Sequence, residues 1–350
     1  MPAPSQSASW LSLLRRAASA LLPCLLAVVP FAARAQKQPE FPPKTGVATP
    51  GIQRPMSALI PSAIIPVAGH PDWLAVTRDG VWVTSSSADH VVLLNSDTNK
   101  PDHIVTVARP CSGLAVGFGS LWIPSCGDHS LLRVDAGNGE PQATVKASPA
   151  DSEGGIATGA GSVWLVTPTG TGPNQEPNQV ELDRIDPRTN QVAVHIPLPA
   201  GSFNPIFAAG SIWVSSNAGN ALVRVDPKTN SVVSTTPVGP MPRFLTVGAG
   251  SVWVLNQGDG SIARVDAITG KLLATIPAGI PGLGGEIAFG AGSVWATVFG
   301  FPITRVDPAT NRVTQQFVGL GGDSIRCAHR SLWLTFLDGA KVWRLPIPSL

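Results

Sequence analysis

The chain has 350 residues, 43% of them hydrophobic, with 24 Lys and Arg residues against 22 Asp and Glu residues. This near-balance of charge, without any run of basic residues, argues against a nucleic-acid partner and against a polybasic membrane patch. The length is ample for one closed domain with a large core.

Residues 1–35 have the features of a secretory signal peptide. Arg15-Arg16 supply positive charge, residues 17–32 are almost wholly apolar, and Ala33-Arg34-Ala35 matches an Ala-x-Ala cleavage site. Cleavage near Ala35 predicts a periplasmic or secreted protein, exported by the Sec or the twin-arginine route. A transmembrane anchor is the alternative, but the apolar run is short for a span, so we expect no stable membrane insertion. Loss of the leader's arginines leaves 24 − 3 = 21 basic residues against 22 acidic ones.

Residues 36–61 are rich in proline and lack the alternation of a strand. This composition predicts a flexible or extended linker. The remaining residues, 62–350, are predicted to form a single domain.

That domain is organised around a tryptophan that recurs at a nearly constant interval. It stands at Trp82, Trp122, Trp164, Trp213, Trp253, Trp295 and Trp333. The repeat is clearest as Gly250-Ser251-Val252-Trp253 followed by Arg264-Val265-Asp266. A period near 40 residues in a pattern of short strands is typical of a β-propeller.

Each repeat can be read as four short strands separated by turns. The turn before the fourth strand recurs as Asp-Pro-x-Thr-Asn, in which proline presets φ and asparagine tolerates the left-handed region. This turn occupies residues 186–190, 226–230 and 307–311. The third repeat carries an insertion, Thr169 to Gln179, which we interpret as a surface loop or as part of a ligand-binding face.

The two ends of the domain complement each other. Residues 63–67 resemble the fourth strands of other repeats, whereas residues 341–345 align with a third strand, after which no fourth strand follows. Pairing of these two segments would remove the open edges. The sequence therefore predicts an all-β, seven-bladed β-propeller of four-stranded blades, whose ring is closed by an N-terminal strand that completes the last blade.

Three cysteines remain after the leader. Cys111 and Cys126 would face each other if Val116 pairs with Leu121, which predicts a cross-strand disulfide in an exported protein. Cys327 lies in the inner strand of the last repeat and is predicted to be a buried free thiol.

In a propeller, the loops that enter the innermost strands and the hairpins between the second and third strands surround one mouth of the central channel. Polar residues lie in or next to these entering loops. We predict a ligand-binding site at this mouth formed by Asp72, Glu153, Asn204, Arg243, Glu286, Asp323 and Arg326. The alternative is an internal charge network around a water-filled channel. In either case, we expect Arg326 to pair with one of these acids, because uncompensated carboxylates so close would repel.

Histidines offer little evidence for a metal site. Asp89-His90 and Asp128-His129 fall at nearly equivalent hairpins, and we interpret them as turn residues rather than metal ligands. His103 and His195 fall on outer strands and have no evident partner. The sequence contains no His-Glu-x-x-His, Gly-x-Ser-x-Gly or Cys-x-x-Cys motif.

The repeat resembles the unit of the virginiamycin B lyase (streptogramin lyase) family, and is similar to that of the YncE-like, YVTN-repeat periplasmic propellers. The resemblance covers residues 62–350 and rests on Pro242-Arg243-Phe244-Leu245, Gly250-Ser251-Val252-Trp253 and Ile262-Ala263-Arg264-Val265-Asp266. It implies the propeller fold. For the lyases, it further implies opening of a cyclic depsipeptide ester by elimination, with Mg²⁺, a histidine and a glutamate.

The lyase residues do not carry over to this chain. The positions that correspond to the family's histidine hold Arg243, Gly285 and Asp323, and those that correspond to its glutamate hold Asn256, Val298 and Phe336.

Two classes of function remain. The first is a non-catalytic, monomeric exported propeller that binds a small molecule or a partner protein at the channel mouth and needs no cofactor. The second is a lyase or lactonase that acts on a cyclic ester, with a divalent metal such as Mg²⁺ held by Glu153, Glu286 and Asp323. Because the sequence shows acids without a convincing general base, we favour the binding class.

Overall fold

The computed structural model describes residues 40–150, 153–169 and 179–347. The compact unit that begins at Phe41 contains every strand of this part of the chain. The predicted signal peptide and most of the predicted loop of the third repeat lie outside the described residues. No helix in the described ranges is long and apolar enough to cross a membrane.

The described residues form 29 strands and three short 3-10 turns. The strands are β1 Gln53–Pro55, β2 Ala63–Pro66, β3 Pro71–Val76, β4 Gly80–Ser85, β5 His90–Asn95, β6 Lys100–Thr106, β7 Ala115–Gly117, β8 Ser120–Ser125, β9 Ser130–Asp135, β10 Pro141–Val145, β11 Ile156–Gly159, β12 Ser162–Pro168, β13 Val180–Asp186, β14 Gln191–Pro197, β15 Ser202–Ala208, β16 Ser211–Ser216, β17 Ala221–Asp226, β18 Ser231–Pro237, β19 Pro242–Gly248, β20 Ser251–Asn256, β21 Ser261–Asp266, β22 Leu272–Pro277, β23 Glu286–Gly290, β24 Ser293–Val298, β25 Gly300–Asp307, β26 Arg312–Gly319, β27 Ile325–Ala328, β28 Ser331–Phe336 and β29 Lys341–Pro346. The 3-10 turns are Met56–Ala58, Ser86–Ala88 and Leu337–Gly339.

These strands form seven sheets, which are the blades of a propeller; every pairing is antiparallel except that of β1 with β26. Blade one consists of β3–β6. Blades two to six each consist of the next four strands in turn: β7–β10, β11–β14, β15–β18, β19–β22 and β23–β26. The first strand of each group is innermost. The predicted all-β, seven-bladed fold is confirmed.

Blade seven is completed from the other end of the chain. Its strands β27, β28 and β29 are joined at the outer edge by β2, which runs antiparallel to β29 with Ala63 opposite Arg344 and Ile65 opposite Val342. Ile65 is 1% exposed, so this strand contributes to the core as well as to the hydrogen bonding. The predicted closure is therefore confirmed.

The repeated tryptophan is the third residue of the second strand in each blade, and all seven indoles are 0% exposed. The core lies between blades. Trp213 of blade four, for example, packs against Val252 and Val265 of blade five. In five blades, the indole Nε1 also donates a hydrogen bond to the carbonyl five residues earlier, at the start of the preceding turn. Each tryptophan thus fixes both an interblade contact and a turn.

In five blades, the arginine of the repeat donates a hydrogen bond to the next blade, as blade five shows. The Arg264 guanidinium lies 4.9 Å from the Trp253 ring centroid, and its Nε donates to Ser251 Oγ at 2.9 Å. Its Nη1 donates to the carbonyl of Pro308 at 2.6 Å and to Asn311 Oδ1 at 2.9 Å, both in the Asp-Pro-x-Thr-Asn turn of blade six. Asn311 has φ of 54°, as the turn requires. The three parts of the sequence repeat therefore meet in one interaction.

The same stacking occurs in six blades. The pairs are Arg133–Trp122, Arg184–Trp164, Arg224–Trp213, Arg264–Trp253, Arg305–Trp295 and Arg344–Trp333. Blade one has Leu93 at this position, and its Trp82 Nε1 donates to the Ala136 carbonyl of blade two instead. Arg344 of blade seven reaches Asn99 Oδ1 of blade one at 2.7 Å, which adds a polar link where the ring closes.

The segment of residues 44–58, here named the strap, belongs to the predicted flexible or extended linker and contacts the propeller. Strand β1 pairs in parallel with β26, so blade six has five strands. Lys44 Nζ donates to the Phe299 carbonyl at 2.9 Å, Gly46 N donates to the Gly279 carbonyl at 2.8 Å, and Met56 is 6% exposed. The edge of a blade offers unpaired backbone groups that a passing segment can satisfy, even a proline-rich one.

The strap should be held by Gln316, whose side chain is 0% exposed. Gln316 Oε1 accepts from Val47 N at 2.8 Å, and its Nε2 donates to the Ala278 carbonyl at 2.8 Å. We expect Gln316→Ala to lower the free energy of unfolding by about 1–3 kcal/mol, because two buried backbone groups lose their partners. Urea denaturation measures this change.

Gln315→Ala is the matched control, since Gln315 Oε1 has no hydrogen-bond partner. It should unfold close to the wild type. Equal urea midpoints for the two variants would show that Gln316 does not anchor the strap.

Candidate functional site

The entering loops and the hairpins between second and third strands lie on one face, as predicted. A cavity of about 830 Å³, here named the mouth cavity, opens there. Its polar lining includes His70, Asp72, Arg109, His129, Glu153 and Asp323, and its apolar lining includes Pro149, Leu283, Phe299 and Leu337. The volume is within the range typical of small-molecule sites.

The predicted Cys111–Cys126 disulfide is confirmed, with the two Cα atoms 5.9 Å apart. Both cysteines line the mouth cavity, so the bridge fixes part of its wall in blade two. Cys327 is a free thiol, as predicted, but it is half-buried rather than fully buried. Burial raises the pKa of this thiol, which disfavours the reactive thiolate.

Asp72 and Asp323 form a hydrogen-bonded pair of carboxyl groups in the mouth cavity. Burial raises the pKa of Asp72 well above its usual value, and the neighbouring charges of Asp323, Glu153 and Glu286 raise it further. Burial raises the pKa of Asp323 as well, although the hydrogen bonds from Gly285 N, at 3.0 Å, and from Asp72 oppose this change. The two carboxyl groups therefore form a coupled pair in which the ionisation of both groups is disfavoured, so that they can share one proton.

Trp73 follows Asp72 in the first inner strand and is 5% exposed. Its ring meets that of Phe244, in blade five, edge to face with centroids 5.8 Å apart. Gly113 makes room for the indole, since a Cβ at that position would lie 3.3 Å from the ring. Beyond Trp73 lies a second cavity of about 260 Å³, here named the channel cavity, which is lined by inner strands. Trp73 lines this cavity, whereas the preceding residue, Asp72, lines the mouth cavity.

Arg326 pairs with Glu286 in the channel cavity, which confirms the expectation that Arg326 pairs with an acid of this group. Glu286 is 4% exposed and also accepts hydrogen bonds from Ser324 Oγ and from Ile325 N. Burial raises the pKa of Glu286, although Arg326 and these donors oppose that change. Because Arg326, Ser324 and Ile325 already contact its carboxylate, Glu286 is part of an internal network.

Asn204 and Arg243 are also buried. Asn204 Nδ2 donates to the Arg243 carbonyl at 2.8 Å. The described residues show no hydrogen bond to Asn204 Oδ1. Asn204 belongs to the lining of the channel cavity. The Arg243 guanidinium stacks 4.3 Å from the Phe203 ring centroid. The seven predicted residues are therefore divided: Asp72, Glu153 and Asp323 line the mouth cavity, Asn204, Glu286 and Arg326 line the channel cavity, and Arg243 lines neither.

Sequence reasoning missed several residues of the mouth cavity, among them His70, Arg109, His129 and Phe299. His70 stands in the loop that enters the first inner strand, so the rule applied to Asp72 could have found it. His129 was interpreted as a turn residue only. It does have a turn conformation, with φ of 51°, but its side chain also reaches the cavity.

An apolar groove adjoins the mouth cavity between blades six and seven. It has a volume of about 620 Å³ and includes Met56, Phe299, Leu320, Phe336, Leu337 and Trp343 in its lining. Phe299 and Leu337 line both spaces. Leu320 is 90% exposed and Phe299 41% exposed, which is unusual for large apolar side chains.

Comparison with known proteins supports the fold. No protein-family model matches the sequence, and no curated protein matches it. Among solved structures, streptogramin B lyase has a TM-score of 0.63 at 20% identity, over 80% of this chain and 94% of the lyase chain. A catalytically inactive virginiamycin B lyase from Staphylococcus aureus, solved with quinupristin, has a TM-score of 0.64 at 16% identity, over 82% and 99% of the two chains.

A third similar structure is BamB from Moraxella catarrhalis, with a TM-score of 0.59 at 13% identity, over 83% of this chain and 98% of BamB. At these identities the likeness extends to the propeller fold and does not extend to an activity. The chain therefore shares the fold of the lyases and of BamB.

The carboxyl pair predicts a specific pH dependence of stability. The pKa of Asp72 is raised in the folded protein, so protonated Asp72 contributes to the free energy of unfolding. This contribution is fully present below the pKa of the group in the unfolded chain, about 4. It is lost as the pH rises through the folded pKa. We expect Asp72→Asn to remove this loss and to be more stable than the wild type by about 1 kcal/mol at pH 8.

Urea denaturation between pH 4 and pH 8 measures the effect, and Asp102→Asn on the exposed face of blade one is the control. Wild-type and Asp72→Asn curves that run parallel across this range would contradict the shared-proton arrangement.

Proposed function

We propose that this protein is an exported propeller that binds a small molecule in the mouth cavity without transforming it. The observation that carries the proposal is the juxtaposition of a carboxyl pair, Asp72 and Asp323, with an apolar wall that continues into the apolar groove. Polar groups that converge beside apolar side chains in a concave surface are typical of ligand sites.

The carboxyl pair favours a ligand with a basic nitrogen. Asp72, Asp323 and Glu153 would repel one another if all were ionised, and burial strengthens this effect. An ammonium group placed between Asp72 and Asp323 would substitute for the proton that they share. Charge-assisted hydrogen bonds of this kind are about twice as strong as neutral ones.

The groove favours a ligand with an apolar arm. Leu283 is 51% exposed and lines the mouth cavity, and Phe299 forms a wall common to the cavity and the groove. A ligand that covers these side chains would gain about 25 cal/mol of binding free energy for each Å² of apolar surface removed from water. The ligand class that fits both features is an amphipathic amine. A protein partner is the other occupant considered, but the concave shape favours a small molecule.

Export is supported by two features of the chain. The first 35 residues have the composition of a signal peptide, and Cys111 and Cys126 are joined in a disulfide. Disulfides persist in oxidising compartments such as the periplasm. The proposed location is therefore the periplasm or the exterior of the cell.

A lyase or lactonase is the second candidate. The observation in its favour is that His70 and His129 line the same cavity as Asp72, Glu153 and Asp323, so a general base could come from positions outside the lyase motif. Carboxylate oxygens also suit Mg²⁺. Glu286 is less suited to that role than expected, because Arg326 and Ser324 already contact its carboxylate.

Thermal denaturation with matched ligands tests the binding proposal. We expect tryptamine and 2-phenylethylamine to raise the melting temperature, and the corresponding alcohols, tryptophol and 2-phenylethanol, to have little effect. Saturation at about 100 times Kd would add about 2.7 kcal/mol to the free energy of unfolding. Asp323→Asn should lose the response to amines, whereas Asp102→Asn, on an exposed outer strand, should keep it.

Equal responses to amines and alcohols, or an unchanged response in Asp323→Asn, would contradict the proposed site. Incubation with quinupristin and Mg²⁺ tests the lyase candidate. Conversion of quinupristin to a ring-opened isomer, lost in His129→Ala, would overturn the non-catalytic proposal.

A further inference from the structure

A separate polar cluster lies on the outer part of blade three. It consists of Glu181 and Asp183 in β13 and His195 in β14. Asp183 lies directly opposite His195 in the antiparallel pair, and Glu181 follows on the same face two residues away. None of the three residues lines the mouth cavity or the channel cavity.

The three side chains converge on one point. His195 Nδ1 is 2.6 Å from Asp183 Oδ1 and 2.9 Å from Glu181 Oε1. A ring nitrogen carries at most one hydrogen, so Nδ1 cannot donate a well-aligned hydrogen bond to both carboxylates at once. A second cluster of three His, Cys, Asp or Glu residues with such close ligand atoms was not found in the described part of the chain.

The cluster extends from the exposed outer strand to a buried position in the third strand. Asp183 is 3% exposed, and burial raises its pKa even though His195 is adjacent. Thr167 lies on the same face, directly opposite Glu181 in β12. It is 4% exposed, and its hydroxyl lies beside the Asp183 carboxylate, where a hydrogen bond to that carboxylate favours the ionised form. A buried carboxylate is costly unless a cation or further donors compensate its charge.

We propose that Glu181, Asp183 and His195 bind a divalent transition-metal ion, with Zn²⁺ as the best match. One imidazole nitrogen and two carboxylate oxygens are ligands that Zn²⁺ accepts. Two carboxylates with a neutral imidazole carry a charge of minus two, which the ion neutralises. The Thr167 hydroxyl is placed to hydrogen-bond to the Asp183 carboxylate and so to orient it as an outer partner.

The geometry requires only a small rearrangement. Zinc lies about 2.0–2.2 Å from such ligands, which separates the ligand atoms of a tetrahedral site by about 3.4 Å. The present separations of 2.6 and 2.9 Å would therefore open by less than about 1 Å. The His195 side chain is 59% exposed, so its ring can shift and the ion can enter from solvent.

Calorimetric titration of the chelator-treated protein with ZnCl₂ tests the proposal, with MgCl₂ for comparison. We expect one tight Zn²⁺ for each chain and no comparable binding of Mg²⁺. His195→Ala should fold, because the side chain is exposed, and should weaken Zn²⁺ binding by about 100-fold or more, since even outer-shell changes cost roughly 10–100-fold. Asp183→Asn, checked for folding by circular dichroism, should have the same effect.

His103→Ala is the matched control. His103 is also an exposed histidine on an outer strand, but it lies beside a single acid, Asp102, at 3.9 Å. It should bind Zn²⁺ like the wild type. Absence of tight Zn²⁺ binding by the wild type, or undiminished binding by His195→Ala, would overturn the proposal and leave the cluster as a histidine–carboxylate ion pair.

Discussion

The interblade arginine is the interaction on which this ring depends. In blade five, Arg264 stacks on the tryptophan of its own blade and donates hydrogen bonds to the turn of blade six. Burial of a guanidinium is costly unless its donors are satisfied. Arg305 illustrates the cost, since it is 4% exposed and burial lowers the pKa of its guanidinium. A cation–π contact of about 0.5–2 kcal/mol, together with hydrogen bonds from a charged donor at about 1.5–3 kcal/mol each, offsets that cost.

This arrangement matters for function because the mouth cavity is assembled from separate blades. Asp72 belongs to blade one, Glu153 precedes blade three and Asp323 precedes blade seven. Blades one and seven meet where the chain ends are joined. There, β2 completes blade seven and Arg344 reaches Asn99, so these contacts hold Asp72 close to Asp323.

The repeat made most of the fold predictable from the sequence. Seven tryptophans at a period near 40 residues predicted the blades, and the unmatched end segments predicted the closure. The disulfide followed from strand register, because the Val116–Leu121 pair places Cys111 opposite Cys126. These features depend on local patterns that each repeat carries in full.

The site was less predictable, because it depends on where single side chains point across the channel. Trp73 does not belong to the series of repeated tryptophans, and nothing in its neighbourhood indicates that it meets Phe244 from blade five. The residues predicted as a single site line two cavities, apart from Arg243, which lines neither. His195 was judged to lack a partner, which is wrong, since it contacts both Asp183 and Glu181. The pairing of His195 with Asp183 is set by the register of β13 and β14 across the turn at 187–190. This register shifts by one residue at a bulge between Arg184 and Ile185, and the sequence does not indicate that bulge.

The most direct test of the interblade link is a double-mutant cycle between Arg264 and Asn311, which lie in different blades with Nη1 and Oδ1 2.9 Å apart. The free energies of unfolding of Arg264→Ala, Asn311→Ala and the double variant would be compared with that of the wild type. The account predicts that the double variant loses less stability than the sum of the single losses, with a coupling energy of about 1–2 kcal/mol. Strictly additive losses would show that the arginine does not join the two blades.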